Sequence, residues 1–370
     1  MSDANELISF IASMSGEGNL RVEENLGEGY VRLRVSEAER RQAKHDIQHV
    51  EDIVIEMLRN ARDAGADKVY LATTKEDGVR TLVFLDNGSG VPQDMQERIF
   101  DARVTSLPIC YLVTSKLESM KMDRWGVHGR GMALFSIKQN TDEARVVTSG
   151  VDLGSAFKVS VAADRLNERA DQSSWPQAVR DEDGRYVCAR GPHNIIRAAC
   201  EFALEELCGC DVYLGSPSEI AATLYAQASS RLDTSRLLFI DDESELPVVD
   251  RLGLASDAED FIRICSGLGL EMSERTAHRI LAGQIKPVRG VTARLLRERD
   301  SSSHAPAPVD LAKDRRGLRI AKDDMAQFSR AVERDFNDLA ARYYLNLCGD
   351  PKIRVSRDRI TVTFDLAKEE

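Results

Sequence analysis

Three glycines within six residues indicate a binding loop in the first half of the chain. The stretch "RWGVHGRGMALFSI", residues 124–137, places Gly126, Gly129 and Gly131 directly before an apolar helical pattern. Glycines let the backbone turn and approach a ligand closely. The first turn of a helix also offers unpaired amides and the positive end of the helix dipole, which favour an anion such as phosphate. The pattern therefore fits either a loose turn before a helix or a phosphate cradle.

A second set of polar residues shares one edge of a predicted helix. At 100° per residue, Glu56, Asn60 and Asp63 fall within about 60° of one another. This strip is expected to lie away from Arg59 and Arg62. Carboxylate and amide groups in such a row form either a hydrated helix margin or one wall of a polar site.

Asp86 stands where a buried strand is expected to leave its sheet. In its motif, "LDNGSGVP", Gly88 and Gly90 allow the backbone to turn and to approach a ligand. Taken alone, Asp-x-Gly-x-Gly is also a common pattern of turns and calcium loops. The order and spacing of the three motifs favour one shared site.

Hydrophobic periodicity predicts the elements that position these motifs. A long helix is predicted from Ser36, the N-cap of a capping box, to Gly65 near its C-cap. Its apolar arc consists of Val50, Ile53, Val54, Met57, Leu58 and Ala61. An Asp-Gly turn at 77–78 then joins two strands, and the second, apolar throughout 82–85, is expected to be covered on both faces.

The composition is that of a globular protein with more than one core. The chain has 370 residues, of which 42% are hydrophobic and 30% charged. Its net charge of −11 argues against a surface that coats nucleic acid as a whole, without excluding a local basic patch. Seven cysteines without a CxxC pair fit neither a disulfide framework nor a zinc site. With no signal-like N-terminus and no apolar run of membrane length, we expect a cytoplasmic protein without a membrane partner.

Four ordered motifs resemble those of the GHKL ATPase superfamily, whose nucleotide site is of the Bergerat type. "EMLRNARDA" resembles the N-box, "DNGSGVP" the first glycine box and "GVHGRGMALFSI" the second, with a mobile lid at roughly 92–125 between the boxes. Within the superfamily, "VTSKLESMKMDRWGVHGRGMALFSI" is most similar to the lid of MutL-like proteins. A Thr-Ser-Lys tripeptide precedes the glycine-rich turn in both.

The resemblance implies ATP and Mg²⁺ as ligands and gives the helix strip its roles. Glu56 would orient and deprotonate the attacking water. Asn60 would bind Mg²⁺ through its side-chain oxygen. Asp63 would either support the metal or adenine shell through water or cap the helix end.

Adenine and phosphate contacts are implied for the other motifs. Asp86 would accept the adenine N6 amino proton, because a buried carboxylate without a donor is costly. The remaining implied nucleotide-binding residues are Gly88, Gly90, Ser115, Lys116, Gly126, Gly129, Arg130, Gly131 and Ser155. In this set the last three glycines would bring amides to the phosphates, the lysine and arginine would reach phosphate oxygens, and Ser155 would keep a hydroxyl near adenine.

The predicted fold class is α+β. A Bergerat-type α/β sandwich occupies 1–165 and a second, transducer-like α/β unit occupies 166–250. A helical region follows at 251–299, then a linker at 300–310 and a C-terminal helix with a β-hairpin at 311–370. The helix of this last part is expected at 322–347.

The sequence does not fit two other phosphate-binding folds, and it leaves more than one function open. The sequence has no GxxxxGK[ST] loop, and "GVHGRG" lacks the strand, spacing and downstream acid of a Rossmann site. His45 and His49 lie on the predicted N-box helix, whereas histidine kinases carry their phosphoacceptor on a separate upstream hairpin. Two functions stay open: a Mg²⁺-dependent ATPase that drives dimerisation or a partner clamp, and a nucleotide-gated regulator with little or no turnover.

A basic segment lies beyond the nucleotide motifs. From Arg275 to Arg297 there are six Lys or Arg and no Asp or Glu. The surrounding sequence resembles a repressor-type helix-turn-helix with Ser273 as N-cap and Gly283 closing the second helix, although a plain helical bundle fits as well. It could contact DNA or a protein partner. Lys286 superficially resembles the lysine that a second domain of MutL-like proteins supplies to the γ-phosphate.

Overall fold

The chain folds into two compact units, Met1–Arg299 and Asp300–Glu370. The computed structural model describes residues 22–106, 122–123, 126–127, 131–169, 171–205, 209–232, 242–296, 322–340, 345–347, 351–355 and 360–368. The predicted boundaries at 165 and 250 within the first unit remain predictions.

A five-stranded sheet organises the first unit. Its strands, in chain order, are β3 (Lys68–Glu76), β4 (Val79–Asp86), β8 (Glu143–Gly150), β9 (Gly154–Ala162) and β12 (Asp211–Gly215). In space the order is β12-β3-β4-β9-β8, with β12 parallel to β3 and all other neighbours antiparallel. The predicted Asp77-Gly78 turn is confirmed, because both residues have positive φ and join β3 to β4. β4 lies at the centre of the sheet.

Helices cover both faces of this sheet. On one face lie α1 (Glu37–Asp46), α2 (Val50–Asp63), α3 (Ala133–Asn140) and α4 (Ile195–Ala203). On the other lie α5 (Pro217–Arg231), a 3-10 turn at Val248–Leu254, α6 (Ala258–Gly267) and α7 (Glu274–Leu281). The short helix α8 at 291–296 follows, and its Val291 and Leu295 pack into the first core. Along β4, Leu82 and Phe84 belong to the first core and Val83 and Leu85 to the second. The prediction of a doubly covered strand is therefore confirmed.

The prediction of one long helix from Ser36 is wrong in one respect, because the structure has two helices in this segment. Ser36 caps α1 through a capping box, as expected. The chain then adopts an extended conformation at Ile47, whose side chain is buried in the core. The carboxylate of Asp52 accepts hydrogen bonds from the amides of Gln48 and His49, which starts α2 as a new helix. The apolar arc predicted on α2 is buried throughout.

Smaller sheets complete the described part of the first unit. β1 (Val22–Gly27), β2 (Tyr30–Leu33) and β5 (Val104–Ser106) form an antiparallel sheet in that order. β6 (Met122–Asp123) pairs with β7 (Gly126–Val127), and β10 (Gln177–Arg180) pairs with β11 (Tyr186–Arg190). β5 is the element that brings the chain back beside α3, because the amide of Arg103 bonds to the carbonyl of Gly131.

The second unit holds one long helix and two strand pairs among its described residues. α9 (Lys322–Ala340) ends earlier than predicted, because residues 345–347 form β13 (Leu345–Leu347) instead of a further helical turn. β13 pairs with β16 (Leu366–Lys368), and the predicted hairpin is present as β14 (Lys352–Val355) and β15 (Ile360–Thr363). The rings of Phe336 and Phe364 stack at 4.0 Å between centroids.

Candidate nucleotide site

A cavity of about 930 Å³ opens where α2, the end of β4 and the start of α3 meet. This volume suits a small-molecule ligand of nucleotide size. The predicted site residues that line it are Glu56, Asn60, Asp63, Asp86, Gly90, Gly131 and Ser155. Motifs that are separated by up to 99 positions in the chain thus share one cavity wall.

Asp86 is the last residue of β4 and lies at the buried end of this cavity. Its side chain is 4% exposed, and its Oδ1 accepts a hydrogen bond of 2.8 Å from the amide of Gly88. Burial raises the pKa of the carboxyl to about 7, although hydrogen bonds from the amides of Gly88 and Ser155 act to lower it. Among the described residues, no ion pair includes Asp86. Within the described part of the chain, the interactions that stabilise its ionised form are therefore those hydrogen bonds from backbone amides.

The glycines after Asp86 permit a close approach of two turns. A Cβ on Gly90, whose φ is +70°, would lie 1.8 Å from the carbonyl oxygen of Gly150. A Cβ on Gly88 would lie 2.9 Å from the carbonyl oxygen of Ala64. The sequence "DNGSG" thus meets a steric requirement at both glycines. Gly88 itself acts through its amide and is not one of the residues lining the cavity.

Ser149 ties these turns together, and sequence reasoning missed it. Its hydroxyl accepts a 2.7 Å hydrogen bond from the amide of Val91 and donates one of 2.9 Å to the carbonyl of Gly154. Its Oγ also lies 3.1 Å from the Oγ of Ser155, the residue paired with Asp86 across β9. The hydroxyl of Ser155 is thereby held next to the buried carboxyl.

Glu56 is not separated from Arg59 as the helical strip predicted. Arg59 Nη1 donates a 2.8 Å hydrogen bond to Glu56 Oε1, and this arginine is only 4% exposed. The two residues are three positions apart, so the long arginine side chain reaches back along the helix to the carboxylate. Glu56 Oε2 has no hydrogen-bond partner among the described residues. One carboxylate oxygen is thus anchored, and the other can accept a bond from a ligand or water.

Asn60 and Asp63 complete the helix wall. Asn60 Nδ2 is buried without a hydrogen-bond partner in the part of the chain that the structure describes. Because the oxygen and nitrogen of an amide exchange places by a flip, this position can also present an oxygen to a hard cation such as Mg²⁺. Asp63 Oδ1 lies 3.5 Å from Arg62 Nη2, which again corrects the expected separation from the arginines.

Arg103 is a second residue that sequence reasoning missed. It lines the cavity with a φ of +64°, and its side chain is almost fully buried in an ion pair with Glu39. Its amide donates a 2.8 Å hydrogen bond to the carbonyl of Gly131. A Cβ on Gly131 would lie 2.7 Å from the carbonyl oxygen of Val104, so the glycine allows this contact. Nothing in "DARVTS" signalled a left-handed arginine.

Several predicted residues lie elsewhere. Ser115, Lys116, Gly129 and Arg130 fall outside the described residues. Gly126 pairs with Asp123 in the β6–β7 ladder and does not line the cavity. Lys286 is exposed and is likewise not one of the cavity residues.

The described lining of the cavity is acidic. Its charged residues are Glu28, Glu39, Asp46, Glu56, Arg59, Asp63, Asp86, Arg103 and Asp152. Both arginines of this described lining already pair with glutamates. Among the described residues there is no group of three or more His, Cys, Asp or Glu side chains that could hold a metal ion by itself.

Comparison with known proteins identifies the domain around this cavity. The family described as "Histidine kinase-, DNA gyrase B-, and HSP90-like ATPase" matches residues 45–164, which include the helix strip and both glycine boxes. Residues 45–164 form a GHKL-type ATPase domain. This assignment supports ATP binding in the cavity, since the family match spans α2, the end of β4 and the start of α3.

Individual relatives match only parts of the chain. The DNA mismatch repair protein MutL of Borreliella afzelii is 29% identical over 115 residues, which are 30% of this chain and 16% of that protein. The chain therefore spans about a sixth of the length of this relative. A crystal structure of full-length ShkA in complex with AMPPNP is 14% identical, with a TM-score of 0.21 over 77% of this chain and 56% of that chain.

No described helix has the length and apolar character that a membrane crossing requires.

Proposed function

We propose that the GHKL domain binds ATP with Mg²⁺ and hydrolyses it. The observation that carries this proposal is Asp86, a buried carboxyl at the end of a nucleotide-sized cavity without a cationic partner among the described residues. Desolvating a carboxylate is costly unless a ligand donor offsets it. The exocyclic amino group of adenine is such a donor. The hydroxyl of Ser155 lies beside the Asp86 carboxyl.

The helix wall supplies the groups for the reaction. Glu56, oriented by Arg59, would use its Oε2 to accept a proton from the attacking water. The side-chain amide of Asn60 would hold Mg²⁺. When bound, this cation would neutralise part of the phosphate charge. The carbonyl of Gly131 already bonds to Arg103, so the turn before α3 is fixed where the helix dipole favours phosphate.

The acidic lining supports a need for Mg²⁺. Repulsion between the triphosphate and the carboxylates of this wall would oppose binding of free ATP. A divalent cation relieves that repulsion, and Lys116 and Arg130 are proposed to add positive charge. ATP affinity should therefore fall strongly when EDTA removes the metal.

We also propose that nucleotide binding drives homodimerisation or closure on a partner, which the similarity to MutL over 115 residues favours. In this proposal the segment at roughly 92–125 acts as a lid over ATP. Its described part begins with two 3-10 turns, Gln93–Met95 and Arg98–Phe100, which pack Met95, Ile99 and Phe100 into the first core. The described start of this segment is thus anchored in the first core.

The second candidate is a nucleotide-gated regulator with little or no turnover. The Glu56–Arg59 ion pair favours this regulator, because a glutamate held by an arginine has less freedom to move to where it could accept a proton from water. The family description also includes histidine kinases, for which phosphoryl transfer would end on a histidine instead of water.

Turnover measurements separate these functions. We expect wild-type protein to release phosphate from MgATP and Glu56→Gln to do so about 10²- to 10⁴-fold more slowly, with ATP affinity unchanged. Phosphate release is measured by a colorimetric assay, and acid-labile phosphoprotein is measured in parallel with γ-labelled ATP. Binding without turnover in both proteins would establish the regulator. A labelled protein that loses its phosphate in acid would establish the kinase.

A further inference from the structure

Four cations form an exposed surface on the face of the sheet opposite the nucleotide cavity. We define the basic surface as Arg275 and Arg279 on α7 and Lys286 and Arg289 in the loop that follows it. All four are exposed. In the part of the chain that the structure describes, none of them takes part in an ion pair. Arg294, which stacks on the ring of Trp175 at 3.9 Å, is left out of this surface.

The helix that carries two of these cations is firmly held. Ala277 and Ile280 anchor the buried side of α7 in the second core. Ser273 caps its start by accepting from the amide of Thr276, and Gly283 ends it with a φ of +68°. These ends agree with the caps predicted from sequence. The arginines therefore project from a fixed helix face and do not serve its stability through salt bridges.

Charge distribution makes this surface unusual in the chain. The whole protein carries a net charge of −11, yet 275–297 contains no Asp or Glu. On the neighbouring helix α6, by contrast, exposed Arg263 pairs with Glu243 at 2.7 Å. A shallow cavity of about 590 Å³ lies on α7 and is lined by Glu274, Arg275, His278, Arg279, Ala282 and Gln284. Its one carboxylate, on Glu274, lies 3.7 Å from His278, so the two arginines stay available for an anionic group.

We propose that the basic surface binds the phosphate backbone of double-stranded DNA. A protein partner would need buried aromatic or apolar anchors. No Phe, Tyr or Trp occurs between 262 and 327, and no large hydrophobic residue is exposed within the described residues 274–296. The lack of aromatic residues also disfavours single strands, which bind by base stacking.

The shape of the surface favours DNA over double-stranded RNA. A helix face that projects arginines fits the wide major groove of B-form DNA. The major groove of A-form RNA is deep and too narrow for side chains to enter. The basic surface lies on the face of the sheet opposite the proposed ATP cavity, so DNA binding there does not depend on ATP hydrolysis.

The test is fluorescence anisotropy of a labelled 20-base-pair DNA duplex titrated with the full chain at several salt concentrations. If the four cations each contact a phosphate, affinity should fall about 100-fold between 50 and 200 mM salt. Arg275→Ala/Arg279→Ala should weaken binding and reduce the magnitude of the log–log salt slope by about 2. The matched control is Arg40→Ala/Lys44→Ala, which removes two exposed cations at the same spacing from α1.

The outcomes separate the proposal from its rivals and from the nucleotide site. An unchanged control with a weakened α7 variant supports the proposal. It is overturned if the duplex does not bind at 50 mM salt, or if both variants weaken binding equally. Competition by poly-glutamate, single-stranded DNA or an RNA duplex as strong as that by the DNA duplex would also overturn it. Asp86→Asn should leave DNA binding unchanged, and Arg275→Ala/Arg279→Ala should leave ATP affinity unchanged.

Discussion

A carboxyl that is buried at the end of a central strand, without a cationic partner among the described residues, destabilises the folded chain whenever it is ionised. Asp86 is in this position, and burial raises its pKa to about 7. The unfolded chain ionises the same group near pH 4. Because Asp86 costs stability and lies in a cavity, we propose that it is retained to bind a ligand.

Asp86→Asn should reveal this cost in nucleotide-free protein. Because the native state keeps the Asp86 proton up to about pH 7, the contribution of Asp86 to the free energy of unfolding falls as pH rises from about 4 to about 7. The asparagine variant keeps the shape of the group and has no such proton. We expect equal melting temperatures at pH 4 and a higher one for the variant at pH 8, measured by circular dichroism. A more stable wild type at pH 8 would contradict the assigned environment.

The sequence predicted some of the residues that line the cavity and missed others for a physical reason. Asp86 and Gly131 stand in motifs with local signatures, a strand end and a glycine-rich turn, whereas Ser155 was predicted from the family resemblance alone. Arg103 and Ser149 were missed because their hydrogen bonds join residues far apart in the chain. Gly131 lies 28 positions from Arg103 and Val91 lies 58 positions from Ser149, so these contacts form only in the folded chain. Arg59 was misplaced because helix angles describe Cα positions and not the reach of a long side chain.

At the scale of elements, the joint between β5 and α3 shapes the end of the cavity that we propose for the phosphates. Its centre is Gly131, whose φ of +66° and closeness to Val104 exclude a side chain. The amide of Arg103 locks the joint through the carbonyl of this glycine. We therefore expect the start of α3 to depend on this one residue.

Gly131→Ala tests the joint, with Gly184→Ala as a matched control. Gly184 has a φ of +80° in the β10–β11 turn, and a Cβ there would meet nothing within 4 Å. Its substitution should cost only the backbone strain of about 1–2 kcal/mol and leave ATP affinity unchanged. Gly131→Ala adds a steric clash and should lower both the melting temperature and the ATP affinity further. Equal effects of the two variants on ATP affinity would show that the joint does not shape the site.

The elements themselves were largely predictable, and their assembly was less so. The alternating burial of β4 and the Asp77-Gly78 turn follow from local pattern and turn chemistry. The break before α2 was hidden because 36–65 has continuous helical periodicity, and only the capping role of Asp52 divides it. The parallel pairing of β12 with β3 joins strands more than 130 residues apart, which no local signal specifies.

At the scale of the whole molecule, the nucleotide cavity and the basic surface use opposite faces of one sheet. The first core surrounds the helices of the ATP site, and the second core anchors α7. β4 contributes residues to both cores, so the two surfaces share a rigid strand. This arrangement allows ATP binding and DNA binding to occur on one unit without competing for the same residues.

The proposed dimer gives a prediction at this scale. With AMPPNP and Mg²⁺, the molar mass from light scattering should rise from 41.1 kDa toward twice that value. It should remain at the monomer mass for Asp86→Asn under the same conditions. A mass that does not respond to nucleotide in a wild-type protein shown to bind it would exclude nucleotide-driven homodimerisation.

The central claim is that the cavity beside Asp86 binds ATP through its adenine. Isothermal titration of AMPPNP with Mg²⁺ into wild type and Asp86→Asn tests it most directly, with circular dichroism to show that both are folded. Loss of a hydrogen bond to a charged group should reduce the affinity of Asp86→Asn about 10- to 100-fold. Equal affinities for the two folded proteins would contradict the assignment of the site.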